Sequence, residues 1–354
     1  MVEEIALETH PLKPYSGENI DEDTDTCYTL GEDEVRKTSK GTHLYKASAL
    51  LITNSATVHG GIFSIKNKDS KFVTESITLN AKSNIDQHYK KALTFESQKT
   101  LEIDEPCILI ANRAHENYYH WHINCLPAVT IATELQLPWR FIVPKLNNWQ
   151  RDSLTILKIP PEKLIELDHH TSLHCQRLYT PTSVFNELRH VGIEILDSLR
   201  SLALESIGKV TPRRKVYLER SDSKARTLLN EEELANALQA VGFEIVTASN
   251  LSYREQVKLF LETEFLVTCH GAGLTNIAWL PPNASIYEIR PEFWNMKMYR
   301  HLAYIRELDY HSYVEEGEPV RGSRWTINDV PAMVYRITEQ FATSNPSLWQ
   351  KSSG

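Results

Sequence analysis

The chain has 354 residues and a formal net charge of −8, with 46 acidic against 38 basic side chains, and 41% of it is hydrophobic. That length suits one large domain or two ordinary ones with real cores, and the acidic balance excludes a general nucleic-acid binder, which carries a basic face. The five cysteines are scattered, with no C-x-x-C, so they do not form a secreted disulfide framework. Isolated thiols point to a reducing compartment. The first residues, "MVEEIALETHPLKPYSG", lack the basic and apolar regions of a signal peptide. No apolar run approaches the roughly 18 residues of a membrane span. The expectation is a cytoplasmic protein, any membrane association being peripheral and through partners.

Met1 to about Thr42 reads as irregular, and its "DEDTD" stretch as a solvated acidic loop rather than a metal site. From Leu44 to Glu102 the pattern favours short strands, with "ALLITNSATVHGGIFSI" as two strands around a turn. "CILIAN" predicts a buried strand. "NYYHWHINCLPAVTIATELQL" then shifts to helical spacing, with Pro127 as a kink or break. "RFIVP", "KLIEL" and "QRLYTPT" read as strands, "NNWQRDSLTILKI" as a helix between the first two. The alternation is an α/β signature. "VGIEILDSLRSLALESIG" is a long amphipathic helix, and "KVTPRR" is a linker at the domain boundary. Residues 1–208 are therefore the first domain, with a β-rich start, 209–326 the second, and 327–354 a closing helix and tail.

The second half alternates cleanly. "KVYLER", "FEIVTA", "EFLVTCH", "SIYEIRP" and "DYHSYV" predict strands. "NEEELANALQAVG", "SYREQVKLFLET", "GLTNIAWL" and "FWNMKMYRHLAYIREL" predict the helices between them. Asn230 suits an N-cap, and Ser252 with Gln256 lies near capping-box spacing. Repeated βα units predict a parallel, doubly wound sheet, which places ligands beyond the strands' C-terminal ends.

Three chemical signals fall at those ends. In "FLVTCHGAGLTN" a strand runs into a glycine turn and a helix start, where unpaired N–H groups and small residues favour a phosphate. His270, Gly271, Ala272, Gly273 and Leu274 form that turn, and a purely structural turn would look the same. "YLERSDSKARTLL" puts Arg220 at a strand end and Arg226 in the following loop, both placed to fork onto one anion. The alternative partners are Asp222 and Glu231. Glu288, on the next strand, suits the hydroxyls of a ribose, or else an ion pair with Arg290 or Arg300. Together these imply a nucleoside diphosphate. No G-x-x-x-x-G-K-[ST] is present, which excludes a P-loop NTPase, and no G-x-G-x-x-G opens the first βα turn.

The blocks "RKVYLERSDSKARTLLNEEEL", "GFEIV", "LSYREQVKLF", "HGAGLTN" and "YEI", in this order from Arg213 to Pro291, resemble the C-terminal half of glycosyltransferase family 61, especially its bacterial polysaccharide-biosynthesis members. The resemblance implies a GT-B architecture: two Rossmann-like domains facing a cleft, the donor half C-terminal and the final helix packing back on the first domain. It implies inverting transfer from a nucleotide sugar, UDP-linked by expectation, to a glycan or lipid-linked acceptor. It also implies no metal or other cofactor.

In the first half, "NYYHW" resembles the start of the family's acceptor-side helix. The family pattern continues with an acid four residues after the histidine and then Leu-Pro-Arg, where this chain has Asn124 and Ala128. An inverting transferase needs a base, and histidine suits this at neutral pH. His120 is the first candidate and Glu116 the second. Tyr118 and Trp121 are candidates for stacking on sugar faces. His115, His120 and His122, or His169, His170, His174 and Cys175, lack the spacing of a known zinc motif. The rival readings are a sugar-nucleotide epimerase or hydrolase, and a non-catalytic nucleotide-sugar-binding subunit.

Overall fold

The chain folds as two units, Met1–Leu202 and Ala203–Gly354. The computed structural model describes residues 48–73, 76, 92, 94–135, 140–184, 193–222, 226–294, 296–316, 319 and 323–351, with backbone strands at 13–14, 26–30, 34–38 and 41–45. The acidic stretch at 21–25 lies outside these. Among the described residues no helix is long and apolar enough to cross a membrane.

The first unit carries β1 (Lys13–Pro14), β2 (Thr26–Leu30), β3 (Glu34–Thr38), β4 (Gly41–Tyr45), β5 (Ser48–His59), β6 (Ile65–Lys66), β7 (Lys99–Ile103), β8 (Cys107–Leu109), β9 (Arg140–Pro144), β10 (Leu164–Leu167) and β11 (Thr171–Pro181). The sheet order is β1-β2-β5-β11-β8-β9-β10, with β6 beside β5 and β7 beside β11, while β3 and β4 pair separately. Strands β1, β2, β5 and β11 pair antiparallel, whereas β11, β8, β9 and β10 are parallel neighbours. The sheet is therefore mixed. The start expected to be irregular contains strands. A segment such as "EVRKT" has no alternation of apolar and polar residues to announce one.

After β8 the chain makes a helical turn, Tyr118–His120, a π-helical segment, Trp121–Cys125, and helix α1 (Pro127–Leu135). Pro127 has no N–H for the regular ladder, and the Leu126 N–H reaches back to the Trp121 carbonyl instead. The break expected at Pro127 thus takes the form of a π segment just before it. Helix α2 (Asn148–Ile156) begins with a capping box between Asn147 and Gln150, and α3 (Ile193–Ile207) spans the boundary between the units.

The second unit has strands β12 (Arg214–Glu219), β13 (Glu244–Thr247), β14 (Thr263–Cys269), β15 (Ser285–Pro291) and β16 (Asp309–Glu315) in the order β13-β12-β14-β15-β16, every pair parallel. Helices α4 (Glu231–Ala240), α5 (Tyr253–Leu261), α6 (Met298–Ile305), α7 (Val330–Ser344) and α8 (Pro346–Lys351) accompany them, with a 3₁₀ helix over Ala272–Trp279. The strand order reverses between β12 and β14. In an open parallel sheet the crevice outside such neighbouring strands is where ligands bind.

Two capping expectations change. Asn230 makes no side-chain cap bond. It is held instead to the Ile327 backbone through both amide atoms. Ser252 does form a capping box, but with Glu255, while Gln256 bonds to the Ala248 and Leu251 carbonyls. The closing helix α7 gives its apolar face (Val330, Met333, Val334, Ile337 and Phe341) to one core with Tyr217, Leu234, Leu238, Phe243, Phe265 and Tyr287 of its own unit.

Candidate functional site

Strand β12 ends at Glu219, so Arg220 emerges at the edge beside the switch point. Its Nη1 donates to the His270 carbonyl at 2.6 Å and more distantly, at 3.5 Å, to the Arg226 carbonyl. Its guanidinium lies against Gly271. A Cβ built there would stand 2.5 Å from Nε and 2.7 Å from Cζ. Gly271 therefore makes room for the arginine. Gly273 is set by packing, since a Cβ there would meet Leu218 Cδ2 at 2.8 Å. The sequence reading gave both glycines to close approach of an anion; their nearest neighbours are these side chains.

Arg226 is in the left-handed region, φ +56°, which an arginine adopts rarely. Its backbone is tied down: the N–H donates to Ser323 Oγ at 2.9 Å, and the carbonyl accepts the Trp325 indole N–H at 3.1 Å. The guanidinium stacks over Trp294, Cζ 4.6 Å from the ring centre. Burial, with the Arg220 cation beside it, lowers the Arg226 guanidinium below the usual arginine range. Arg226 Nε is buried and has no partner among the described residues. Two guanidinium groups thus share one edge, each already oriented. Glu231 takes the Arg220 backbone N–H and the Tyr217 hydroxyl.

The 3₁₀ helix starts at the same edge. The Leu274 N–H is engaged by the Gly271 carbonyl, so it is not the open donor expected. The N–H groups of Gly271, Ala272 and Gly273 have no backbone partner among the described residues. His270 is buried, and its Nδ1 is in short contact with Glu288 Oε1. Glu288 is 0% exposed, and its Oε2 accepts the Tyr310 hydroxyl. A carboxylate so enclosed has no face for a ribose, which corrects that expectation. Neither Arg290 nor Arg300 takes the alternative place: Arg290 Nη1 bonds to the Met296 carbonyl, and Arg300 Nε to the Tyr304 hydroxyl.

The first unit presents the aromatic-histidine stretch. Asn117 caps its opening turn by accepting from the Tyr119 N–H at 2.9 Å. His120 is half-buried, with Nδ1 2.9 Å from Asn124 Oδ1. The Asn124 amide nitrogen donates in turn to the Ser183 carbonyl at 3.0 Å, which aims its oxygen at the ring. Asn124 therefore orients His120 as an acid would, without the charge. An amide oxygen facing Nδ1 suits a hydrogen on that nitrogen. Glu116 is exposed.

Trp121 is fully buried, and its indole N–H donates to Ser153 Oγ. It is a core residue, not a sugar platform. Tyr118 is half-buried, its ring 4.0 Å from that of His122 and 5.2 Å from that of Trp149. Burial lowers the His122 pKa to about 4, so the ring is neutral. Trp149, also half-buried, was missed by sequence reasoning, as were Trp294, Ser323 and Trp325 at the other site. The aromatic at 149 sits in a helix start with no motif around it, and the segment around Trp325 is distant in sequence from the loop it braces.

Residues 118–287 match the family model Glycosyltransferase 61. Over 254 residues the chain is 23% identical to the alpha-1,3-arabinosyltransferase XAT2 of Oryza sativa subsp. japonica, an alignment covering 64% of this chain and 40% of that protein. It is 34% identical over 108 residues to the EGF domain-specific O-linked N-acetylglucosamine transferase of Mus musculus, covering 29% of this chain and 20% of that protein. The Drosophila melanogaster protein of the same name gives 32% over 108 residues, again 29% and 20%. The alignments thus span less than half the length of these relatives. Family match and relatives together support a glycosyltransferase of family 61. The relatives are from a plant and two animals, so the bacterial subtype rests on the sequence resemblance alone.

Proposed function

We propose that this chain is an inverting glycosyltransferase of GT-B architecture, moving a sugar from a nucleoside-diphosphate donor to a hydroxyl of a glycan or lipid-linked acceptor. A UDP-sugar is the expected donor and polysaccharide synthesis the expected setting. The observation that carries the reading is the convergence of Arg220, Arg226 and the Gly271 turn at the switch point of a parallel sheet. Two oriented guanidinium groups and a set of open backbone N–H groups are suited to a diphosphate, both as substrate and as a leaving group that gains charge. Donors fixed before the reaction stabilise that charge without reorganising. These groups do the work that a divalent ion does elsewhere, so transfer proceeds without metal.

In the first unit His120 is the base. Asn124 sets its tautomer, and Nε2 takes the proton of the acceptor hydroxyl as the new bond forms at the anomeric carbon. The diphosphate leaves from the opposite face with the bonding pair, so the configuration inverts. Tyr118, with Trp149 beside it, stacks on a sugar ring. Glu116 is the reserve candidate for the base.

Calorimetry with UDP tests the donor site. Wild-type binding that is lost in Arg220→Ala, with folding intact, supports the reading. Unchanged affinity in that variant removes Arg220 from the site.

A further inference from the structure

A carboxylate in a core is a costly choice. Removing it from water costs several kcal/mol unless its oxygens are well bonded. Glu288 is such a group, on β15 and wholly enclosed. A leucine would fill the same space without that cost, so the charge calls for another explanation.

Strand register supplies the neighbours. Glu288 pairs with Thr268 on β14, and His270 lies two residues further along that strand's direction, just past its end. On β16, Tyr310 pairs with Ile286, two residues before Glu288 and on the same face. Hence one oxygen meets an imidazole at the ligand edge, and the other a phenol inside. Burial and the neighbouring carboxylate push the Tyr310 hydroxyl up, so it keeps its hydrogen and donates it to Oε2. Where the second oxygen, Oε1, accepts as a carboxylate oxygen does, Nδ1 of His270 is the atom that donates to it. The backbone carbonyl of His270 is held by Arg220. The hydrogen bond that holds the ring is made at Nδ1. The ring is therefore fixed at Nδ1 from within and by its backbone from the arginine side.

We infer that Glu288 is a positioning residue: together with Tyr310 it locks the His270 ring so that Nε2 meets the donor's diphosphate. The inference rests on the donor-site reading above. With Nδ1 engaged by the carboxylate, Nε2 is the nitrogen through which the ring reaches a phosphate oxygen. Glu288 itself touches no ligand. It acts through His270, and so its effect vanishes when the histidine is gone.

A double-mutant cycle on the full chain tests this, read by calorimetry with UDP. Glu288→Gln keeps the shape and removes the charge. It is expected to weaken UDP binding about tenfold in the wild-type background, the scale of a charge-assisted bond. In a His270→Gln background the same change should alter affinity by less than about twofold, because coupled residues are not additive. Equal losses in both backgrounds, or none in either, overturn the inference. Tyr310→Phe should show a smaller loss with the same dependence on His270, and it carries the cycle where Glu288→Gln does not fold. Nitrogen-15 NMR of the His270 ring gives a second readout, independent of ligand. Hydrogen on Nδ1 in the wild type, with mixed tautomers in Glu288→Leu, is expected. A bare Nδ1 in the wild type, or no change in the variant, overturns the lock. A wild-type chain that binds no UDP overturns the donor-site reading, and the NMR result still decides whether Glu288 sets the ring.

Discussion

Arg220 holds the most informative position in the chain, because the residue beside it has no side chain. The guanidinium fills the space that a Cβ on Gly271 would take. Gly271→Ala should therefore displace Arg220 and weaken UDP binding by about 1.5–3 kcal/mol, the loss also expected of Arg220→Ala. The melting temperature should barely move, since the crowded atoms are the end of a flexible side chain. A large loss of stability with affinity retained would show the glycine to be structural. Trp121 gives the opposite expectation. Trp121→Ala should cost about 3–5 kcal/mol of stability, since it empties a filled core site, while Tyr118→Ala should leave stability nearly intact and weaken acceptor use. Denaturant titration beside acceptor kinetics separates the two. The strand-end placement of Arg220 and of the glycine turn was legible in sequence because strand ends and turns carry local signals. Trp121 was misjudged because its indole finds its partner, Ser153, on a helix 32 residues away. Glu288 was misassigned for the same reason. A strand-end acid reads alike whether it faces a ligand or a tyrosine from the next strand.

At the scale of elements, the five strands of the second sheet follow the βα alternation read from the sequence; the central β14 and β15 are buried almost throughout, as strands covered on both faces are. Less legible were the π segment and the early strands. A π segment depends on one displaced hydrogen bond, for which Pro127 was the only hint. That segment also predicts a pH response. His122 lies in it with its pKa lowered to about 4 by burial, against 6.5 for the free group. The unfolded chain therefore binds the proton first as pH falls. The stability tied to a neutral His122 is complete above pH 6.5 and is lost as the pH drops through about 4. His59, lowered to about 4 by burial and by Lys66, acts in the same direction. Thermal melting should thus be flat from neutrality down to about pH 6.5 and fall steadily below it. His122→Gln should flatten part of that fall. A curve unchanged by the substitution would assign the response to other groups.

At the scale of the whole molecule, one unit carries a parallel sheet whose reversal gathers basic groups and the other carries an oriented histidine. His120→Ala should lower transfer by about 100- to 10,000-fold while UDP affinity stays near wild type. Affinity, stability and turnover falling together would make His120 structural. EDTA should leave transfer largely intact, because fixed basic groups carry the leaving charge. Complete loss restored by magnesium or manganese would contradict that. The most direct test of the central claim is incubation with a panel of nucleotide sugars, with and without glycan and lipid-linked acceptors, following nucleoside diphosphate release and the configuration of the product. The account predicts release that requires an acceptor and a product of inverted configuration. Release without acceptor, or donor binding with no turnover under any acceptor, would contradict it.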